Sequence, residues 1–308
     1  MVRAFISCIC VALLSGCATT AKQTEAYLKA PLAGLPRSVK IDNVSFINQS
    51  ANHCGPATLA MATSWAGRPI SVEELTKQVY TPGANGTYQA DMISAARRNG
   101  FLAIPSKGLP ALITELSAGH PVIVFENLQF NWYPKWHYAL AFGYDLDSED
   151  IILHSGPVKE KHWDLRKFER SWMLGDYWSL IVLPAGQLAV SADDLAHATA
   201  ASALEQVGHA NEAKLVYESI LVKWPESLPA LIGLANFAFS SGDVLGACRY
   251  LETATEAHPT SAAAWHNLAI AEGEANQRKQ AKVSAARAYD LAPEDSKAAY
   301  RTSLKDFL

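Results

Sequence analysis

Cys54 is followed by Gly55 and Pro56 and preceded, five residues earlier, by Gln49. From Cys54 onward Ala57, Leu59, Ala60, Met61 and Trp65 carry the spacing of a buried helix ending at Gly67. Pro56 suits the first turn of that helix. A cysteine at a helix N-terminus has its thiolate favoured by the macrodipole and by unpaired amides. Gly55 leaves the space beside the sulfur open. Gln49 is spaced to aim its side-chain amide where an oxyanion would form, alongside the Cys54 backbone N–H. His137, on a later strand-like run, is placed to draw the proton from sulfur. Such a set attacks an acyl carbon and passes through an acyl-enzyme.

The elements that must hold these residues are readable in outline. Residues 39–46 are strand-like, and Ser71-Val72-Glu73-Glu74 is a capping box opening a second helix. Residues 88–99 and 109–118 predict two more helices. After Pro121 the pattern changes to short β-rich runs at 122–126, 137–144, 151–153 and 178–183. Helices first and an antiparallel sheet afterwards predict an α+β domain. Cysteine on a helix and histidine on the sheet is similar to the papain-like arrangement. Gln49-x4-Cys54-Gly55-Pro56-Ala57, then His137-Tyr138-Ala139-Leu140-Ala141-Phe142-Gly143-Tyr144-Asp145, resembles the bacteriocin-processing, double-glycine cysteine peptidases and their stand-alone relatives. Phe168-Glu169-Arg170-Ser171-Trp172 before a final strand adds to the likeness, which covers about 145 residues. The resemblance implies a papain-like cysteine peptidase fold, with Cys54 as nucleophile, His137 as general base and acid, and Gln49 as oxyanion donor.

One departure stands out. The family orients its histidine with an aspartate on the next strand, in an Asp-Pro pair. Here that stretch is Ile151-Ile152-Leu153-His154-Ser155-Gly156-Pro157, so the place falls on Ser155, or on His154 if the register slips by one. Asp145, Asp147 and Asp150 belong to the preceding turn, too far from the imidazole. A hydroxyl fixes a tautomer but stabilises imidazolium less than a carboxylate does. The expectation is a slow or substrate-selective enzyme, or one working on the thiolate pair and the oxyanion hole. His53 is read as structural, His120 as a loop residue, and His154 and His162 stay ambiguous. Trp132, Tyr133 and Trp136 either wall a substrate cleft or pack in an aromatic core. No two histidines or cysteines have ligand spacing, so neither a metal nor a cofactor is expected.

The last third is periodic. Pro225, Pro259 and Pro293 recur every 34 residues, as do Ala213, Ala247 and Ala281. The pattern resembles the tetratricopeptide repeat. Small alanines sit where antiparallel helices approach closely, and each proline stops the second helix of a pair. Cys248 beside Ala247 is read as a buried structural thiol. At the other end, Arg3, the apolar run 4–14 and Leu14-Ser15-Gly16-Cys17 look like a bacterial lipoprotein signal with a lipidated Cys17. Ala18 after that cysteine favours the outer membrane by the same resemblance. The expected organisation is a signal peptide at 1–16, the lipidated cysteine and a tether at 17–36, and the peptidase domain at 37–185. A linker at 186–193 then leads to three repeats plus a capping helix at 194–308.

Of the 308 residues 49% are hydrophobic and 18% charged, which excludes a disordered chain, a collagen or a coiled-coil rod. A net charge of −4 supplies no basic field for nucleic acid. Five cysteines, at 8, 10, 17, 54 and 248, are too scattered for a disulfide framework. The leading expectation is a membrane-anchored cysteine peptidase of the bacterial cell envelope, facing the periplasm. Its repeats would recruit a peptide or protein substrate or a protein partner. The alternatives are a non-catalytic adaptor lipoprotein and a cell-wall amidase or transpeptidase on the same fold. An intact Gln49, Cys54 and His137 argue against the first. His-Cys-Gly-Pro, where the amidases carry Asp-Cys-Ser-Gly, argues against the second.

Overall fold

The computed structural model describes residues 20–49 and 52–308. The signal peptide at 1–16 and Cys17 lie outside the described residues. The chain opens with α1 (Lys22–Lys29), β1 (Ser38–Lys40), α2 (Cys54–Trp65), α3 (Val72–Val79), the short hairpin β2 (Tyr80–Thr81) and β3 (Gly86–Thr87), and α4 (Gln89–Arg98). It continues with β4 (Phe101–Lys107), α5 (Leu109–Ser117), β5 (Val122–Asn127), β6 (Trp136–Asp145), β7 (Asp150–Ser155), β8 (Val158–Asp164), α6 (Leu165–Trp172) and β9 (Trp178–Pro184). The sheet runs β4-β9-β5-β6-β7-β8, with β1 added on β6, and its pairs are antiparallel. Gly143 is what lets β1 in: a Cβ there would stand 2.6 Å from the Val39 carbonyl oxygen.

Helices cover both faces of this sheet, so its central strands alternate between two apolar layers. On one side Leu59 and Met61 of α2, Leu75 of α3 and Met92 of α4 pack on Ile123, Tyr138, Leu140 and Leu180. On the other side Leu112 and Ile113 of α5 and Phe168 and Trp172 of α6 pack on Val122, Val124, Ala139, Ala141 and Ile181. The α+β class is as expected, and Ser71 caps α3 by accepting from the Glu74 N–H at 3.1 Å. Two strands were not foreseen. Residues 101–107, which contain Pro105, form β4, an edge strand that pairs with β9 alone, where a proline costs no ladder bond on its free side. β8 is the opposite edge, and its lysines and glutamate suit an edge strand while hiding the strand pattern. Residues 39–46, read as one strand, contribute only the three residues of β1.

The stretch read as a tether is partly a docked helix, which corrects that expectation. Glu169 accepts from the Gln23 and Thr24 backbone N–H groups at 3.0 and 2.7 Å, satisfying amides of the α1 first turn that have no partner within the helix. Gln23 Oε1 in turn accepts from the Leu109 N–H at 2.6 Å, and Thr24 and Tyr27 are buried. Polar composition suggested solvent; a single buried glutamate gives the first-turn amides a partner inside the fold.

The C-terminal region is a run of helices consistent with helical repeats: α7 (Asp194–Gln206), α8 (Ala210–Lys223), α9 (Leu228–Ser240), α10 (Val244–Ala257), α11 (Ala262–Glu274), α12 (Arg278–Leu291) and α13 (Lys297–Ser303). Ala213, Ala247 and Ala281 are fully buried where paired helices meet. Cys248 is buried and unpaired, and desolvation raises its pKa. Residues 186–193 are not a free linker. Ala189 is buried, the Ser191 N–H donates to Glu115 Oε1 at 2.7 Å, and His209 Nε2 bonds the Arg98 carbonyl at 2.8 Å. One apolar core runs from the sheet through Ala201, Leu204 and Val216 to Leu234. Among the described residues no helix is long and apolar enough to cross a membrane.

Candidate active site

Cys54 is the first residue of α2, and nine consecutive residues after it are buried, so the helix that carries the sulfur is held on all sides. Gly55 is required, for a reason other than the one expected. A Cβ there would meet Thr87 Oγ1 at 2.6 Å, so Thr87 of β3 fills the space that the glycine leaves. That hairpin is tied to the sheet by the Tyr138 hydroxyl, which donates to the Thr87 carbonyl at 3.1 Å.

A cleft of about 640 Å³ opens over the α2 N-terminus, and Gln49, Cys54, His137 and Ser155 all line it. Gln49 Nε2 donates to Thr58 Oγ1 at 3.2 Å, and the Thr58 hydroxyl donates to the Tyr138 carbonyl at 3.3 Å. The amide is thereby anchored to the second turn of α2 and keeps one N–H unspent. His137 is the second residue of β6, and its Nε2 stands 3.1 Å from Ser155 Oγ. A hydroxyl accepting from Nε2–H leaves Nδ1 as the free base. Of the two residues that could fill the family's aspartate place, Ser155 reaches the imidazole and His154 does not. His154 lies against Phe46 and Phe142, accepts from the Glu160 N–H at 3.2 Å, and bonds the Val44 carbonyl at 3.3 Å. Asp145 accepts from the Asp147 and Ser148 N–H groups in its own turn.

The other ambiguous residues find structural places. His53 stacks on Tyr80, and His120 Nδ1 lies 2.7 Å from the buried Glu115 carboxylate. His162 is 3.9 Å from Asp150 at the surface. Trp136 stacks on Phe125 and both line the cleft. Trp132 and Tyr133 form neither a core nor that wall: they are 81% and 66% exposed and cluster with Phe130. The wall opposite Trp136 is the β2–β3 hairpin, with Asn85, Gly86, Thr87 and Tyr88. The sequence reading passed over it, although Pro82-Gly83 and Asn85-Gly86 are turn dipeptides that announce a hairpin. Among the described residues no group of three His, Cys, Asp or Glu side chains is arranged to hold a metal ion.

The electrostatics differ from an activated thiolate. Burial pushes the Cys54 thiol up; the backbone N–H groups of Tyr138, Gly55 and Cys54 pull it back, and Glu126 adds a smaller push upward. Burial also carries His137 down to about 4, with Lys161 and Lys135 acting in the same direction. Desolvation outweighs the helix terminus, so the resting partners are thiol and neutral imidazole.

Residues 41–177 match the family model described as Peptidase_C39 like family; the match lies within the α+β domain, from α2 to α6, and includes none of the helical repeats. No curated protein matches the chain. Similar solved structures include a C39-like peptidase from Bacillus anthracis, 19% identical over 48% of this chain and 98% of that one, with a TM-score of 0.41. The peptidase domain of Streptococcus ComA, a bifunctional ABC transporter in a quorum-sensing pathway, is 22% identical over 46% of this chain and 99% of its own, with a TM-score of 0.39. A double glycine motif protease from an AMS/PCAT transporter, solved with its leader peptide, is 19% identical over 47% and 98%, with a TM-score of 0.38.

Proposed function

We propose, from the premise that the α+β domain of this chain belongs to the C39-like peptidase family, a cysteine peptidase that cleaves peptide bonds through an acyl-enzyme on Cys54. The observation that carries the reading is one cleft lined by Gln49, Cys54, His137 and Ser155. His137 Nδ1 takes the thiol proton as sulfur attacks the scissile carbonyl carbon, so charge separates in the transition state and not before. The carbonyl oxygen gathers negative charge between the Cys54 N–H and the unspent N–H of Gln49. His137 then returns the proton to the leaving amine, the C–N bond breaks, and a thioester remains. Water, deprotonated by the same imidazole, releases the acyl group and restores the thiol. The apolar wall of Phe125, Leu128 and Trp136 favours an extended peptide with a bulky side chain.

The family's cleavage at double glycine is not part of this proposal. The anchor is: with lipid on Cys17, only residues 18–21 separate it from docked α1, a reach of at most roughly 18 Å from Cys17 to Lys22. That arrangement holds the peptidase against the membrane where a tether would let it roam. The helical repeats, sharing a core with the domain, would then present a bound partner in a fixed direction. The experiment is digestion of a mixed peptide library by the full chain, with products read by mass spectrometry. Cleavages present with the native chain and lost in Cys54→Ala are expected. No cleavage, or the same cleavages in both, overturns the reading.

A further inference from the structure

Glu126 is an acidic residue that the proposed reaction leaves unused although the sheet register sets it beside the reaction's base. It ends the apolar run of β5, where its Cα pairs directly with that of His137 on β6. Direct partners across an antiparallel pair place their side chains on one face, with Cβ atoms about 5 Å apart. The carboxyl is fully buried, and it is poorly satisfied. Oε1 has no hydrogen-bond partner, and Oε2 is 3.4 Å from Ser171 Oγ, whose hydroxyl has a shorter acceptor in the Asn127 carbonyl at 2.8 Å. A carboxyl left so bare inside a core is costly, and glutamine or leucine would serve packing better. Its position therefore calls for a role.

We infer that Glu126 is a positioning residue that acts through His137: its carboxylate, on the sheet face that the two residues share, stabilises the imidazolium formed when the Cys54 proton is transferred. The inference rests on the peptidase reading above. It accounts for the serine in the family's aspartate place. Ser155 holds Nε2 from β7 but carries no charge, while the charge comes from the strand on the other side.

The groups bearing on Glu126 set the direction of its pH dependence. Lys161 from β8 faces it with its ammonium over the Trp163 ring, His137 adjoins it on β6, and Cys54 approaches from α2. α6 supplies the Ser171 hydroxyl and β9 supplies Ser179, which is bonded to the Ser106 carbonyl. Burial raises Glu126 to about 7, against a smaller opposite pull from Lys161 and Ser171. Below that value the carboxyl is neutral and Lys161 opposes an imidazolium unrelieved. Above it the carboxylate offsets Lys161 and favours the imidazolium. Its direct effect on the thiol is the weakest of those acting there. Cys54 reactivity should thus rise as pH passes through about 7, ahead of the ordinary ionisation of a thiol.

The test is the rate of Cys54 alkylation by iodoacetamide in the full chain, followed from pH 5 to pH 10 by peptide mass spectrometry so that other cysteines do not interfere. The native chain is expected to show a step near pH 7. Glu126→Gln, close in shape and neutral, is expected to lose the step and to react roughly tenfold more slowly at pH 8, one pKa unit of thiolate population. Glu126→Asp is expected to recover part of the step, which a merely structural role would not produce. A native-like profile in Glu126→Gln overturns the inference while leaving the peptidase reading intact. If His137→Ala also leaves the profile unchanged, the cysteine–histidine reading fails and the inference falls with it. A melting transition measured for each variant keeps loss of fold apart from loss of the step.

Discussion

The α+β domain and the helical array solve opposite problems with the same chain. The array repeats one solution: helices starting at Asp194, Leu228 and Ala262 are each packed through a buried alanine on the partner helix. Each pair buries its own neighbours' faces, and no position is special. The α+β domain uses each residue once. Its unsatisfied buried atoms include Gln49 Oε1, Thr87 Oγ1 and Glu126 Oε1, two of them on cleft-lining residues and the third opposite His137. Such groups cost stability wherever they occur. Those three lie at the cleft end of the sheet, while Tyr27 Oη and Arg97 Nε elsewhere in the domain, and His197 Nε2 and Glu272 Oε2 in the array, are also unsatisfied.

If that contrast is right, a polar change at the cleft should damage catalysis with little effect on folding, and the reverse should hold in the array. Gln49→Ala gives the largest expected effect. It removes the N–H proposed above for the oxyanion but only one 3.2 Å hydrogen bond to Thr58, so kcat should fall about a hundredfold or more while KM and the melting temperature hardly move. Steady-state kinetics on whichever peptide the library yields would check this; a change in KM alone would mean that Gln49 binds substrate and does not stabilise the oxyanion. Next comes Ala281→Leu, at a fully buried contact between α11 and α12. Overpacking there should lower stability by about 1–3 kcal/mol and leave Cys54 alkylation unchanged, as urea unfolding and the alkylation rate would show. A coupled loss of both would mean that the array holds the site together through the shared core.

The same contrast explains how much could be read without coordinates. The array was legible because a period of 34 residues is a long-range statement written locally: Pro225, Pro259 and Pro293 announce it unaided. The start of α2 at Cys54 and the Ser71 cap of α3 were legible because a helix start and its cap are set by neighbours within a few residues. What escaped depended on partners far along the chain. Thr24 in α1 looks like a solvent residue until Glu169, 145 residues away, accepts its N–H. β8 looks too charged for a strand until it proves to be a sheet edge. Glu126 looks like the polar end of an apolar strand, leaving for solvent; only the register that sets it opposite His137 shows it turned inward. The choice between His154 and Ser155 likewise waited on geometry, since one residue of register exchanges the two faces of a strand.

Ser155→Ala should have the smallest catalytic effect of these changes, and its size measures how the two sides of His137 divide their work. In the native chain the imidazole lies between a hydroxyl on β7, 3.1 Å from Nε2, and the carboxyl of its direct partner on β5. In the proposed tautomer, removing the hydroxyl leaves Nε2–H without that acceptor and lets the proton shift to Nδ1, the nitrogen assigned above as the base. A single neutral hydrogen bond of this kind contributes about 1 kcal/mol, so kcat should fall roughly five- to tenfold with KM unchanged. A step near pH 7 that survives in Ser155→Ala would place the charge on Glu126 alone. A step lost in both variants would mean that hydroxyl and carboxylate act on the ring only together. An unchanged kcat in Ser155→Ala would leave the serine as filler at a turn, with Glu126 as the group that orients the ring as well as the one that balances its charge.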